Sequence, residues 1–328
     1  MASLCLETSI ILINMTRMKN KKSQIFTLLA IVMIALLFVS FEVYSFIHER
    51  NAIKTRVTTM KTFLNSVESN LERQMFISGF RILFLAEAEI TSNGSYVNVN
   101  DFFNEAFFNG TVNGEPNNTI LEGTTYDDIL ESINIKAAKI NVNVTMTNPL
   151  VEIKHVDPWN IRFTLITDFI MSDKEGLARW EKVQNISAII PIEGFEDPLF
   201  TVGSIGKVPR LINRTVYEGQ YAWTVPIDVA NLTDHVNKGL YAENPDAPSF
   251  LMRLEGNLSA DLNGIESFVI IPDLSSQGLP IQDKTTIDHI YFSSNVPPSN
   301  HVQNMPIWFK IDNENNRAKK YQVSSLLI

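Results

Sequence analysis

One uncharged run constrains this chain more than any other feature. From Ile25 to Phe41 no residue carries a charge, and after Glu42 the apolar pattern resumes as Val43-Tyr-Ser-Phe-Ile47. As a helix, residues 25–47 measure roughly 34 Å, enough to cross a hydrocarbon core of about 30 Å. The rival reading is a cleavable secretory signal. Such signals have a shorter apolar stretch that ends in a small-x-small cleavage site. Here Phe41-Glu-Val-Tyr44 follows the run, which favours a retained anchor. Glu42 is a costly carboxylate at that depth, functional or paired unless it reaches the headgroups.

Arg17, Lys19, Lys21 and Lys22 precede the run. An excess of positive charge marks the cytoplasmic side, so the expected topology is N-terminus in and C-terminal part extracellular. With Glu7, residues 1–24 carry +3; the whole chain carries −9, so the rest carries −12. An acidic outer part argues against nucleic acid as a partner and against lying flat on an anionic membrane. Met15 and Met18 are alternative starts to Met1.

The only cysteine is Cys5, so the outer part has neither disulfides nor a thiolate metal site. Beyond the anchor, Asn-x-Ser/Thr sequons stand at Asn93, Asn109, Asn117, Asn143, Asn185, Asn213, Asn231 and Asn257. They are candidate N-glycosylation sites and fit an outside location. Asn143 falls on the polar face of an alternating segment, where a glycan has room. Asn14 also matches, on the wrong side.

After the anchor, Ile53, Val57, Met60, Leu64, Val67 and Leu71 are spaced alternately four and three apart. That is a heptad seam on an amphipathic helix. It packs either on the protein's own sheet or on sister helices. No proline interrupts residues 25–90, so anchor and stalk form one long helix, with Ser78-Gly79 as its weak point for a bend. Phe103 and Phe107 share a helix face, and a further helix starts at Thr124 or Thr125 and buries Ile129, Ile133 and Ala137.

Strands follow. Ile140–Met146 alternates, Asn148-Pro149 turns, Val151–Val156 continues, and Asp157-Pro158 turns again. Ile161, Phe163, Leu165, Phe169 and Met171 line one face, and Leu177–Ile192 reads as a fourth strand. From about residue 210 the pattern is irregular. Short helices are expected near Val229–Lys238 and Ser249–Glu255, short strands at Ile265–Ile271 and Ile287–Phe292, and an edge strand at Trp308–Ile311. The expected fold is α+β: a transmembrane-plus-amphipathic helix, an antiparallel β-meander domain and an irregular α/β C-terminal part. The divisions are 1–24 (cytoplasmic basic tail), 25–47 (transmembrane helix), 48–90 (stalk), 91–205 (extracellular α+β domain) and 206–328 (C-terminal subdomain).

Catalytic motifs are missing: no Gly-x-Ser-x-Gly elbow, no His-Glu-x-x-His, no phosphate loop. His155 with Asp157, and Asp288 with His289, are metal-ligand types without a recognised spacing; structural histidines are the readier reading. Asp127-Asp128 suits a helix N-terminus, and Glu196-Asp197, in a Gly/Pro loop, is the better calcium candidate. No catalytic, cofactor or metal residue is assigned, and no cofactor is expected.

Lys21-Lys-Ser-Gln-Ile-Phe-Thr-Leu-Leu-Ala-Ile-Val32 resembles the start of archaeal type IV pilin-like proteins. The resemblance implies cleavage between Ser23 and Gln24 and a helix that forms a filament core. It departs at Leu28, where pilins usually keep a glutamate. Taken whole, the chain is similar to single-pass surface proteins of small-genome archaea, which implies no activity. The leading expectation is a non-enzymatic, membrane-integral surface protein that self-associates or meets pilin-like partners in adhesion, surface structure or assembly. The second is a ligand-binding ectodomain with a partner subunit and a pocket lined by Trp159, Trp180, Trp223 or Trp308. The third is an anchored hydrolase.

Overall fold

The computed structural model describes the backbone of residues 2–117 and 119–328, with side chains from Gln24 onward. Its first helix, α1, runs from Ala2–Asn93 without interruption. The chain divides into two compact units. One comprises residues 1–63 and 175–178, the other residues 64–174 and 179–328.

In the first unit, residues 25–47 of helix α1 are apolar apart from Glu42 and exposed on all sides. Ile25, Phe26, Leu28, Leu29 and onward to Phe46 and Ile47 each expose about half or more of their surface. The segment is long and apolar enough to be compatible with a transmembrane helix. A helix that is apolar all round must find an apolar environment outside its own chain.

In the second unit α1 becomes one-sided. Leu64, Val67, Leu71, Met75, Ile82, Leu83, Ala86 and Ile90 are buried, the three-and-four spacing that puts one face against a core. At Ser78-Gly79, the weak point for a bend, the helix continues without interruption. Ser78 is buried and its Oγ donates 2.6 Å to the Thr124 carbonyl, while Gly79 lies against Phe163 and Ile190. The small residues serve close approach between helix and sheet, and nothing opens the hydrogen-bond ladder between them.

Helix α2 (Val99–Asn104) is capped by the Asn98 side chain and passes into a π turn over Glu105–Asn109 that Gly110 closes at φ +67°. Phe103 and Phe107 are buried there and pack on Phe163 at 5.5 and 5.4 Å. A two-rung hairpin follows, β1 (Thr111–Val112) with β2 (Glu115–Pro116). Helix α3 (Tyr126–Ala138) starts after Thr125, which forms a capping box with Asp128. Asp127 and Asp128 thus stand in the first turn, where carboxylates meet unpaired N–H groups.

The main sheet has three antiparallel strands in sequence order: β3 (Val142–Asp157), β4 (Asn160–Asp173) and β5 (Arg179–Pro191). The reading of four strands is corrected at Asn148-Pro149. Instead of reversing the chain, Asn148 at φ +52° and Pro149 form a bulge between the Thr147–Asp168 and Leu150–Ile166 pairs, and β3 continues. Pro has no N–H for the ladder, and a bulge is the place where its loss is tolerated. Ile161, Phe163, Leu165, Phe169 and Met171 are fully buried under α1, α2 and α3.

The rest of the chain is short elements, many of which contribute to a second apolar cluster. In order they are α4 (Pro198–Gly203), the β6–β7 hairpin (Trp223–Thr224, Ile227–Asp228), α5 (Ala230–Asn237), β8 (Ala242–Glu243), α6 (Phe250–Leu254), β9 (Ile265–Glu266), α7 (Ile271–Ser276), α8 (Asp288–Tyr291), β10 (Ser299–His301), β11 (Lys310–Asp312) and α9 (Arg317–Lys320). Tyr221, His235, Phe268, Phe309 and Tyr321 form its aromatic centre, with Phe268 4.7 Å from Tyr321. Two expected strands are corrected. Residues 288–291 form a short helix instead, and every residue from 287 to 291 is buried. Residues 265–271 contribute only β9 before α7 begins.

Candidate functional site

The expected site residues fall into separate places. Along the seam, Ile53 is exposed and Val57 half-buried, whereas Met60, Leu64, Val67 and Leu71 are buried. From Leu64 onward the seam therefore belongs to the protein's own core. Glu68, on the flank of this face, accepts from Lys182 at 2.6 Å and Gln184 at 2.8 Å on β5, which ties helix to sheet. Gln24 is exposed on α1; the Ser23 side chain lies outside the described residues.

Six sequon asparagines are exposed: Asn93, Asn109, Asn143, Asn185, Asn213 and Asn257. Asn117 and Asn231 are half-buried. Asn231 Nδ2, the atom a glycan would take, donates to the Gln220 carbonyl at 2.8 Å. Asn143 occupies the solvent face of β3, opposite Ser172.

One dense group of charges is buried. Arg253, on α6, lies between Asp197 at 2.6 Å and Asp288 at 2.9 Å, and all three side chains are fully buried. Arg253 also donates to the carbonyls of Pro248 and Ile265. Asp197 caps α4 through Leu199 N–H and accepts from Tyr241 Oη at 2.8 Å. Asp288 accepts from the N–H groups of Ser267 and His289. His289 bridges towards Arg317, whose Nη1 meets Asp312 at 2.7 Å. Lys320 and Tyr321 both donate to Glu266.

Two carboxylates flank one guanidinium, and their environments part them. At Asp197 burial dominates and raises the carboxyl, with Arg253 pulling against it. At Asp288 burial also pushes upward, but Arg253 and His289 overcome it and hold the group below the usual carboxylate range. Nearby, burial and the charge of Glu196 push the Glu87 carboxyl up to about 8. Apart from the partly exposed Lys320, the network is closed to solvent and each core charge has a partner, the arrangement in which buried ions are tolerated. It fixes how residues 197, 253, 288 and 312–321 meet.

This network explains several candidates. Asp197 is committed to Arg253 and to a helix cap, which removes it from a calcium role; Asp288 and His289 are committed to two arginines. His155 Nδ1 faces the Asp157 carbonyl at 3.1 Å and Nε2 accepts from Leu251 N–H at 3.3 Å. Among the described residues no three His, Cys, Asp or Glu side chains group to hold a metal ion. Trp159 lines a surface depression of about 340 Å³ with Arg214 and Glu243, its Nε1 donating to Glu243 at 2.6 Å. Trp223 lies in the β6–β7 hairpin and Trp308 beside Phe309 in the second cluster, so neither joins Trp159 there. One sequence signal for the network existed: Phe250, Arg253 and Leu254 share a face of a short helix, a cation among apolar neighbours.

Comparison with family models, with curated proteins and with solved structures finds no match to this chain.

Proposed function

We propose that this chain is a non-enzymatic, membrane-anchored surface protein on a pilin-like plan, serving adhesion, surface structure or assembly. One observation carries the reading. A single helix is exposed and apolar over residues 25–47 and buried on one face from Leu64 to Ile90 under a three-stranded sheet. The first stretch has the length and composition to insert in a bilayer; the second is the spine of a folded domain. The basic residues ahead of the anchor support an outside location for that domain. Where the helix leaves the membrane, Ile53 stays exposed, available to a sister helix.

Membrane fractionation tests the anchor. The protein is expected to resist extraction by alkaline carbonate, and protease added to intact cells is expected to cut it beyond residue 48. Release by carbonate overturns the anchor. N-terminal sequencing of the mature protein and electron microscopy of sheared surface material test the pilin-like part. A mature chain that does not begin at Gln24, and that never enters filaments or larger assemblies, overturns that part alone.

A further inference from the structure

The solvent face of the main sheet carries a cavity of about 420 Å³. Three adjacent rungs build it. Glu152, Thr164 and Ser187 sit opposite one another across β3, β4 and β5; Lys154 and Arg162 share the next rung, and Ile166 and Asn185 the one before. Thr164 is 8% exposed although it belongs to the outward set, so it forms the floor. Arg162, Asn185 and Ser187 are exposed around it.

Glu152 is paired with Lys154 at 2.9 Å. Among the described residues, Arg162, Thr164, Asn185 and Ser187 make no side-chain hydrogen bond or ion pair. A free guanidinium, two hydroxyls and an amide thus converge on one concavity, in a chain of net charge −9. The guanidinium fork matches a planar carboxylate bidentately. The hydroxyls and the amide offer both donors and acceptors, which suits the hydroxyls of a sugar ring. Ile166 supplies an apolar contact for its C–H face.

We propose that this face of the sheet binds an acidic saccharide, its carboxylate on Arg162 and its hydroxyls on Thr164, Asn185 and Ser187. This supplies a partner for the adhesion reading and rests on it only for the setting. The site also requires Asn185 to be free, so a glycan on that sequon and a saccharide in the cavity exclude each other.

Full-length protein in detergent micelles, titrated calorimetrically with an oligogalacturonate, a neutral galactan of equal length and inorganic phosphate, provides the test. Binding of the oligogalacturonate alone is expected. Arg162→Gln is expected to weaken it by at least about tenfold, the worth of a charge-assisted pair. Arg162→Lys keeps the charge but not the fork and is expected to fall between. Ser187→Ala, a change at an exposed position, checks the hydroxyl set with a smaller loss. Equal binding of the neutral galactan, equal binding of phosphate, no binding, or indifference to Arg162→Gln overturns the proposal. So does a glycan on Asn185 in protein from the native cell. Because micelles are used throughout, failure here leaves the membrane anchor standing, and failure of the anchor leaves this binding measurable.

Discussion

Arg253 Nη1 stands 2.6 Å from Asp197 Oδ2, and neither side chain is exposed to solvent. The same nitrogen is 2.9 Å from Asp288 Oδ2. Removing the guanidinium would leave two carboxyls buried with only neutral donors. Arg253→Met is therefore expected to lower stability by about 3–5 kcal/mol, the usual cost of breaking a buried pair from one side. Arg253→Lys restores the charge but not the bonds to the Pro248 and Ile265 carbonyls, and should recover part of the loss. Urea unfolding followed by tryptophan fluorescence measures both. A loss below about 1 kcal/mol for Arg253→Met, the level of a surface ion pair, would contradict this account.

That network also shows where the sequence stopped being informative. Helix α1, the start of α3 at Thr124 or Thr125 and the odd-numbered face of β4 are readable because each rests on a local period or a local capping residue. The long apolar helix and the antiparallel sheet were readable for the same reason. The partners of Arg253 come from positions 197 and 288, and no local pattern relates them. In sequence Asp197 reads as a loop carboxylate and Asp288-His289 as two ligand types. Asn148-Pro149 failed differently. The pair suits a turn, but whether it reverses the chain or bulges the strand depends on the neighbouring strand, here β4. Arg162 was hidden because an outward charged residue on a strand is ordinary until its neighbours are known to be unpaired.

Gly79 supplies a second prediction. A Cβ there would lie 2.5 Å from Ile190 Cδ1 and 2.9 Å from Phe163 Cδ1. Alanine should gain about 1 kcal/mol of helix propensity, but crowding a packed core costs about 1–3 kcal/mol. Gly79→Ala is expected to be destabilising on balance, by about 1 kcal/mol. Gly79→Leu is expected to cost more than Gly79→Ala, because the sheet would have to move away from α1. Thermal melts by circular dichroism decide it; a raised Tm for Gly79→Ala would show that the helix and sheet are less closely packed than described.

Buried His235 and half-buried Glu87 set opposite pH slopes. Burial pulls the His235 imidazole from its ordinary 6.5 down to about 3. The unfolded chain then binds the proton more readily, so stability is lost as pH falls from 6.5 through 3. Burial pushes Glu87 from 4.5 up to about 8. Here the folded state holds the proton, so the contribution is full below 4.5 and is lost as pH rises through 8. Glu87→Gln should flatten the decline on the alkaline side and leave the acid side alone; His235→Phe should do the reverse at the acid side. Denaturant midpoints measured from pH 4 to 9 test the pair. If Glu87→Gln leaves the alkaline limb unchanged, another group causes it.

The seam separates two kinds of contact along one helix. Leu64 and Leu71 are 7% and 0% exposed, while Ile53 is 43% exposed. Truncating either leucine removes buried methyl groups and leaves a cavity, so Leu64→Ala and Leu71→Ala should each cost about 2–5 kcal/mol. Ile53→Ala, at an exposed position, should stay within about 0.5 kcal/mol in the same assay. Its effect is expected elsewhere: cysteine placed at residue 53 should crosslink between copies in native membranes, and cysteine at residue 71 should not. Crosslinking absent at residue 53 would confine the seam to the protein's own fold and leave the exposed apolar helix ahead of it as the remaining surface for self-association.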